Sequence, residues 1–150
     1  ADIAVDKSIL RFDGQSANRQ DVVVTNVGDT TAYVQVTPYL VKNPGTPEER
    51  REKVKNPKKA GLLVSPSKLA LAAGGRKLVR FVNLKPARAD EGVYRVAIEP
   101  VAGPVDATQT GLMVLVGYEV LVLASPVDPK AELVAERQGR TLTLRNAIGP

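Results

Sequence analysis

Apolar and polar residues alternate along much of this chain with the two-residue period of a β-strand. Across Thr30–Val41, Ala32, Val34 and Val36 fall on one face and Tyr33, Gln35 and Thr37 on the other. Leu78–Leu84 sets Val79 and Phe81 against Arg80 in the same way. Asp21–Asn26 is a short β-branched run ended by Val27-Gly28-Asp29, and Ile3–Phe12 reads as an opening strand with polar breaks, closed by the turn pair Asp13-Gly14. Leu62–Val64 and Lys68–Ala72 frame Ser65-Pro66-Ser67, Gly74-Gly75 reads as a hairpin turn, and Gly92–Val101 is a further strand. Pro38 predicts an edge or a bulge at its position. No window keeps a helical period. Lys42–Gly61 is polar, charged and broken by prolines, which predicts a long flexible loop rather than a helical turn over Glu48–Lys55.

One stretch departs from alternation. Gly111–Pro126 (GLMVLVGYEVLVLASP) carries an unbroken apolar run over Leu112–Val116 and a second after Gly117. Leu112, Val114 and Val116 point to one side of such a strand, and Met113 and Leu115 to the other. Both faces must then be covered, either inside a sandwich or by a partner. Glu119 and the short length argue against a membrane span.

Counted this way, about seven strands with turn signals between them predict an all-β, immunoglobulin-like sandwich. Asp90-Glu91-Gly92-Val93-Tyr94 at the start of a strand resembles a tyrosine corner, so Asp90, Gly92 and Tyr94 take structural roles. After Pro126 the composition changes. Val127-Asp128-Pro129-Lys130 reads as a linker, followed by a hairpin around Gln138-Gly139. The expected division is one domain over 1–126 and a short β segment over 127–150 that opens a second, incomplete domain. A chain closing at Gly149-Pro150, where another strand is due, is expected to be truncated.

Composition narrows the function. The 150 residues contain no Cys and no His, which removes disulfides, zinc and haem ligation by those residues, and His-based triads. No metal or cofactor is predicted. Glu48-Glu49 and Asp90-Glu91 sit in polar segments without a pocket to separate their pKa values, and Ser65 and Ser67 have no His to activate them. The chain is read as a non-enzyme. Net charge is +5, much of it from Arg50–Lys59, which holds six basic residues and one acid. No recognition motif or stacking aromatic accompanies that cluster, so nucleic acid is not expected as a partner, and the cluster reads as a solvated loop. Ala1-Asp2-Ile3 reads as a mature start after removal of a signal peptide.

Several blocks together resemble a known family. Val5-Asp6-Lys7-Ser8, Arg11-Phe12-Asp13-Gly14 and Val22–Asn26 are similar to the opening of periplasmic chaperones of the chaperone–usher pilus pathway. Leu62–Pro66, then Leu71, Gly74-Gly75 and Val79-Arg80-Phe81, is similar to that family's second block, and the strands from Gly92 and Gly111 complete the match. The resemblance implies the first of two immunoglobulin-like domains and the start of the second. It implies pilin subunits and an outer-membrane usher as partners, in the periplasm. The family's long last strand completes a pilin subunit that lacks its own, a form of β-augmentation. Leu112, Val114 and Val116 would be the donated residues. The family also anchors the subunit's terminal carboxylate with an Arg on the first strand and a Lys late in the last one. Here those positions hold Ile9 and Leu121, which marks a divergent branch, with Arg11 or Lys7 as the nearest replacements. A plain immunoglobulin-like structural or adhesion module with an internal last strand stands as the alternative. An exposed apolar edge would be capped by a partner or by a homodimer.

Overall fold

The computed structural model describes residues 2–14, 17–101 and 117–126. The Leu112–Val116 run, the connection before it and the expected linker and hairpin over 127–150 lie outside the described residues. The described residues form an all-β, immunoglobulin-like sandwich of two sheets. One sheet has the order β1 (Ile3–Val5), β3 (Arg19–Asn26), β8 (Arg76–Asn83), β6 (Leu62–Ser65). The other runs β2 (Ile9–Phe12), β10 (Tyr118–Ala124), β9 (Gly92–Val101), β4 (Ala32–Lys42), β5 (Arg50–Lys53), with β7 (Lys68–Leu71) also paired to β4.

Period-2 alternation builds the core between the sheets. Val22 and Val24 of β3, Val79 and Phe81 of β8, Val34 and Val36 of β4, and Val96 and Ile98 of β9 all point inward and are buried. Leu10 and Phe12 of β2 meet Val120 and Val122 of β10 in the same cluster. Burying such side chains stabilises the sandwich by roughly 1.5–3 kcal/mol each, before the entropy of ordering them.

Among the described residues, ten strands replace the expected seven, for three local reasons. The opening strand is split between the two sheets. The Asp6 amide donates to the Val23 carbonyl at 3.2 Å and its Oδ1 accepts from the Val23 amide at 2.8 Å, ending β1 and releasing the chain to the other sheet. Leu62–Leu71 is likewise split, with β6 on β8 and β7 on β4. The Gly74-Gly75 turn therefore crosses between sheets and is not a hairpin. Finally, the expected loop over Lys42–Gly61 contains β5 and a one-turn helix, α1 (Pro57–Ala60). The Asn56 side chain caps α1 by accepting from the Lys59 amide at 3.3 Å, Pro57 stands at its start, and Gly61 ends it at φ 92°.

Pro38 lies in a strand paired on both sides, not on an edge. Its missing N–H falls in the gap where β7 has ended and β5 has not begun, and its carbonyl accepts from Val54 at 3.0 Å.

Candidate binding surface around the last strand

β10 lies between β9, with which it is antiparallel, and β2, with which it is parallel. Val120, Val122 and Ala124 fill the core, so Leu121 and Leu123 face outward and are half-buried. Ile9 and Leu121, the positions at which the resemblance places an anchoring Arg and Lys, are paired directly across β2 and β10. Ile9 is 50% exposed. One rung on, Arg11 is paired with Leu123, exposed on the same face. Arg11 is thus beside the apolar pair, whereas Lys7 is directed elsewhere, donating from Nζ to the Asp21 carbonyl on β3 at 2.9 Å. The structure brings Arg11 to this face and does not bring Lys7.

Residues that sequence reasoning missed close the other end of β10. The carboxylate of Glu119 accepts two bonds from the Arg51 guanidinium, at 2.9 and 3.2 Å, and one from Arg95 at 3.4 Å. Arg51 also lies over the Tyr39 ring, 5.5 Å from its centroid. The Arg51 hydrogen bonds hold the Glu119 carboxyl below its ordinary range, against burial, which pushes it up. The network ties β5, β9 and β10 together near the start of β10. Its sequence signal was the Arg50-Arg51 pair, hidden by reading that segment as a loop. Gly117 supplies the close approach there, since a Cβ at this position would lie 2.8 Å from Glu99 Cγ and 3.2 Å from Glu99 Cα. The donor-strand residues Leu112, Val114 and Val116 lie outside the described residues.

Tyr94 is buried, and its hydroxyl donates to the Ala60 carbonyl at 2.5 Å, a backbone partner in α1 rather than beside it in the chain. Arg88 donates to the Tyr94 hydroxyl at 3.3 Å and to Asn83 Oδ1 at 2.8 Å. Gly92 borders that guanidinium closely enough that a Cβ would overlap it. Asp90 lines the same hollow on the exposed loop before β9. Among the described residues no group of three or more potential metal ligands is present.

No protein-family model matches the chain. Among curated proteins, a CS1 fimbrial subunit of Escherichia coli is 35% identical over 126 residues, covering 79% of this chain and 52% of that protein. A CFA/I fimbrial subunit of Escherichia coli is 29% identical over 135 residues, covering 85% and 56%. The chain therefore spans about half the length of the curated relatives it matches. Among solved structures, a chaperone–tip adhesin complex of CFA/I fimbriae biogenesis aligns at TM-score 0.74 and 26% identity, over 85% of this chain and 57% of that one. The Class 5 fimbriae chaperone CfaA aligns at TM-score 0.69 and 29% identity, with the same coverage. A chaperone–tip adhesion complex from archaic Csu pili of Acinetobacter baumannii shares the fold at TM-score 0.66 and 14% identity, over 91% of this chain and 60% of that one. In sequence and in fold, this chain is similar to pilus chaperones of the chaperone–usher pathway.

Proposed function

We propose that this chain is the pilin-binding part of a non-enzymatic periplasmic chaperone, which holds fimbrial subunits by donating the Leu112–Val116 strand before usher-mediated assembly. The observation that carries this reading is continuity in sequence. Leu112–Val116 runs through Gly117 directly into β10, and β10 is fixed in register by both β9 and β2. A pilin that waits for a donated strand lacks its own last strand, whereas here β10 is already in the sheet. Of the two kinds of name carried by the relatives, chaperone therefore fits better than fimbrial subunit.

Main-chain bonds to an extended strand supply affinity, and alternate side chains supply specificity. Burying Leu112, Val114 and Val116 in a pilin groove would be worth roughly 5–8 kcal/mol before ordering costs. Arg11, exposed beside Ile9 and Leu121, is the proposed contact for the pilin's terminal carboxylate.

The test is coexpression with fimbrial subunits from the same source, comparing the intact chain with Val114→Asp, Val122→Asp and Arg11→Ala. Val122 is fully buried in the core, so Val122→Asp is expected to abolish cooperative melting. Val114→Asp should instead melt like the intact chain and lose the bound pilin, and Arg11→Ala should weaken retention without altering the melt. If Val114→Asp unfolds the domain as Val122→Asp does, the run is core and the structural-module reading replaces this one.

A further inference from the structure

The basic cluster over Arg50–Lys59 is solvated, as expected, but it is not a loop, because β5 and α1 give it a regular shape. Between them lies an open groove of about 540 Å³, bordered by the apolar Leu40 and Val54 and by Lys42, Lys53, Lys55 and Lys59. Leu40, Lys59 and Ala60 also line a smaller adjoining hollow of about 290 Å³ that reaches Lys85 and Arg88. Glu52, on the groove wall, is taken by Lys42 at 3.2 Å. Asp90 and Glu91 border the far hollow. Among the described residues, no carboxylate lies within ion-pair distance of Lys53, Lys55, Lys59, Lys85 or Arg88. Arg88 is oriented by neutral oxygens, and Lys85 Nζ by the Lys59 carbonyl at 2.8 Å.

Like charges gathered around one concavity repel each other, a cost that the single Lys85 contact to the Lys59 carbonyl offsets only in part. Cations on an edge strand do discourage pairing with other chains. That accounts for Arg50 and Lys53 on β5, which ends its sheet with β4 as its one described neighbour. It does not account for Lys55 and Lys59, which lie beyond the strand. We infer that the groove between β5 and α1 binds an acidic, extended protein segment. Carboxylates of that segment meet Lys53, Lys55 and Lys59, an apolar side chain rests on Leu40 and Val54, and its backbone runs beside the open edge of β5. The concave shape with an apolar border favours a peptide over a flat anionic lipid surface. This inference does not rest on the proposed strand donation.

The test uses the full chain and a short fluorescent peptide alternating Glu and Val, followed by anisotropy, with the Gln-for-Glu peptide as its neutral counterpart. Lys55→Glu/Lys59→Glu is expected to weaken binding of the acidic peptide about tenfold or more, as for loss of two interfacial charge contacts. Lys68→Glu/Lys77→Glu makes the same change in net charge away from the groove and should leave affinity within about twofold, the scale of a general field effect alone. Matching thermal melts, and an intermediate loss with Lys55→Gln/Lys59→Gln, separate a local contact from misfolding. Equal weakening by both glutamate pairs would overturn the inference, as would failure of the peptide to bind. Binding to phosphatidylglycerol vesicles without binding to the peptide would overturn it in favour of a membrane surface.

Discussion

The side-chain amide of Asn26 donates to the carbonyl of Leu71 at 3.0 Å, across 45 positions of sequence. The same nitrogen donates to Thr30 at 2.7 Å and Ala72 at 3.2 Å, and Oδ1 accepts from the Gly28 amide at 2.9 Å. A fully buried polar side chain thus joins the β3–β4 turn to the crossing between β7 and β8. Asn26→Ala leaves these carbonyls short of a donor and should cost about 2–4 kcal/mol. Urea unfolding should show a lower midpoint with an unchanged slope, and a loss under about 0.5 kcal/mol would contradict the assignment.

Tyr94→Phe keeps the ring in the core and removes the hydroxyl that the Ala60 carbonyl accepts from and Arg88 donates to. The expected loss is about 1–2 kcal/mol. Its location is the sharper test. The amides of Ala60 and Gly61, bonded within α1 at 3.0 and 2.7 Å, should exchange faster, while those of the β9 core change only with global stability. Uniform acceleration would show that the hydroxyl does not hold α1.

Glu119 gives a pH dependence with a defined sign. The Arg51 hydrogen bonds, opposed by burial, lower its folded pKa from the ordinary 4.5. The unfolded chain therefore takes up a proton more readily, and the stabilisation is present above pH 4.5 and lost as pH falls through the lower folded value. The carboxylate is 36% exposed, so solvent screening limits the effect to about 0.2–1 kcal/mol. Glu119→Gln should be less stable than the intact chain near neutrality and converge with it in acid. A gap that widens on acidification would refute this. Asp21, lowered by its hydrogen bond from Arg80, contributes an acid slope of the same sign to both proteins and cancels in the comparison.

Alternation of apolar and polar residues made most strands legible. Val79, Arg80 and Phe81, and the Ala32, Val34 and Val36 series, face as their spacing requires. Alternation does not say which of two sheets a strand joins, because it distinguishes inside from outside only. That is why the splits at Asp6 and at Ser65-Pro66-Ser67 were missed. β5 was missed because all four of its residues are exposed, leaving no apolar period to read. α1 is too short for a helical period, although its Asn56, Pro57 and Gly61 signals stood in the sequence. The direct pairing of Ile9 with Leu121 was not visible in sequence, since it joins distant segments in parallel. The Arg51–Glu119 contact was hidden for the same reason.

β2 has β10 as its one described neighbour, so a strand near the start of the chain is completed by the last described one. A chain emerging from its N-terminus must leave the backbone of β2 without this pairing until residues 118–124 follow. Closing so long a loop is entropically expensive and slow. Ile9–Phe12 is therefore a vulnerable window during synthesis, open to aggregation or proteolysis until the far end of the domain arrives.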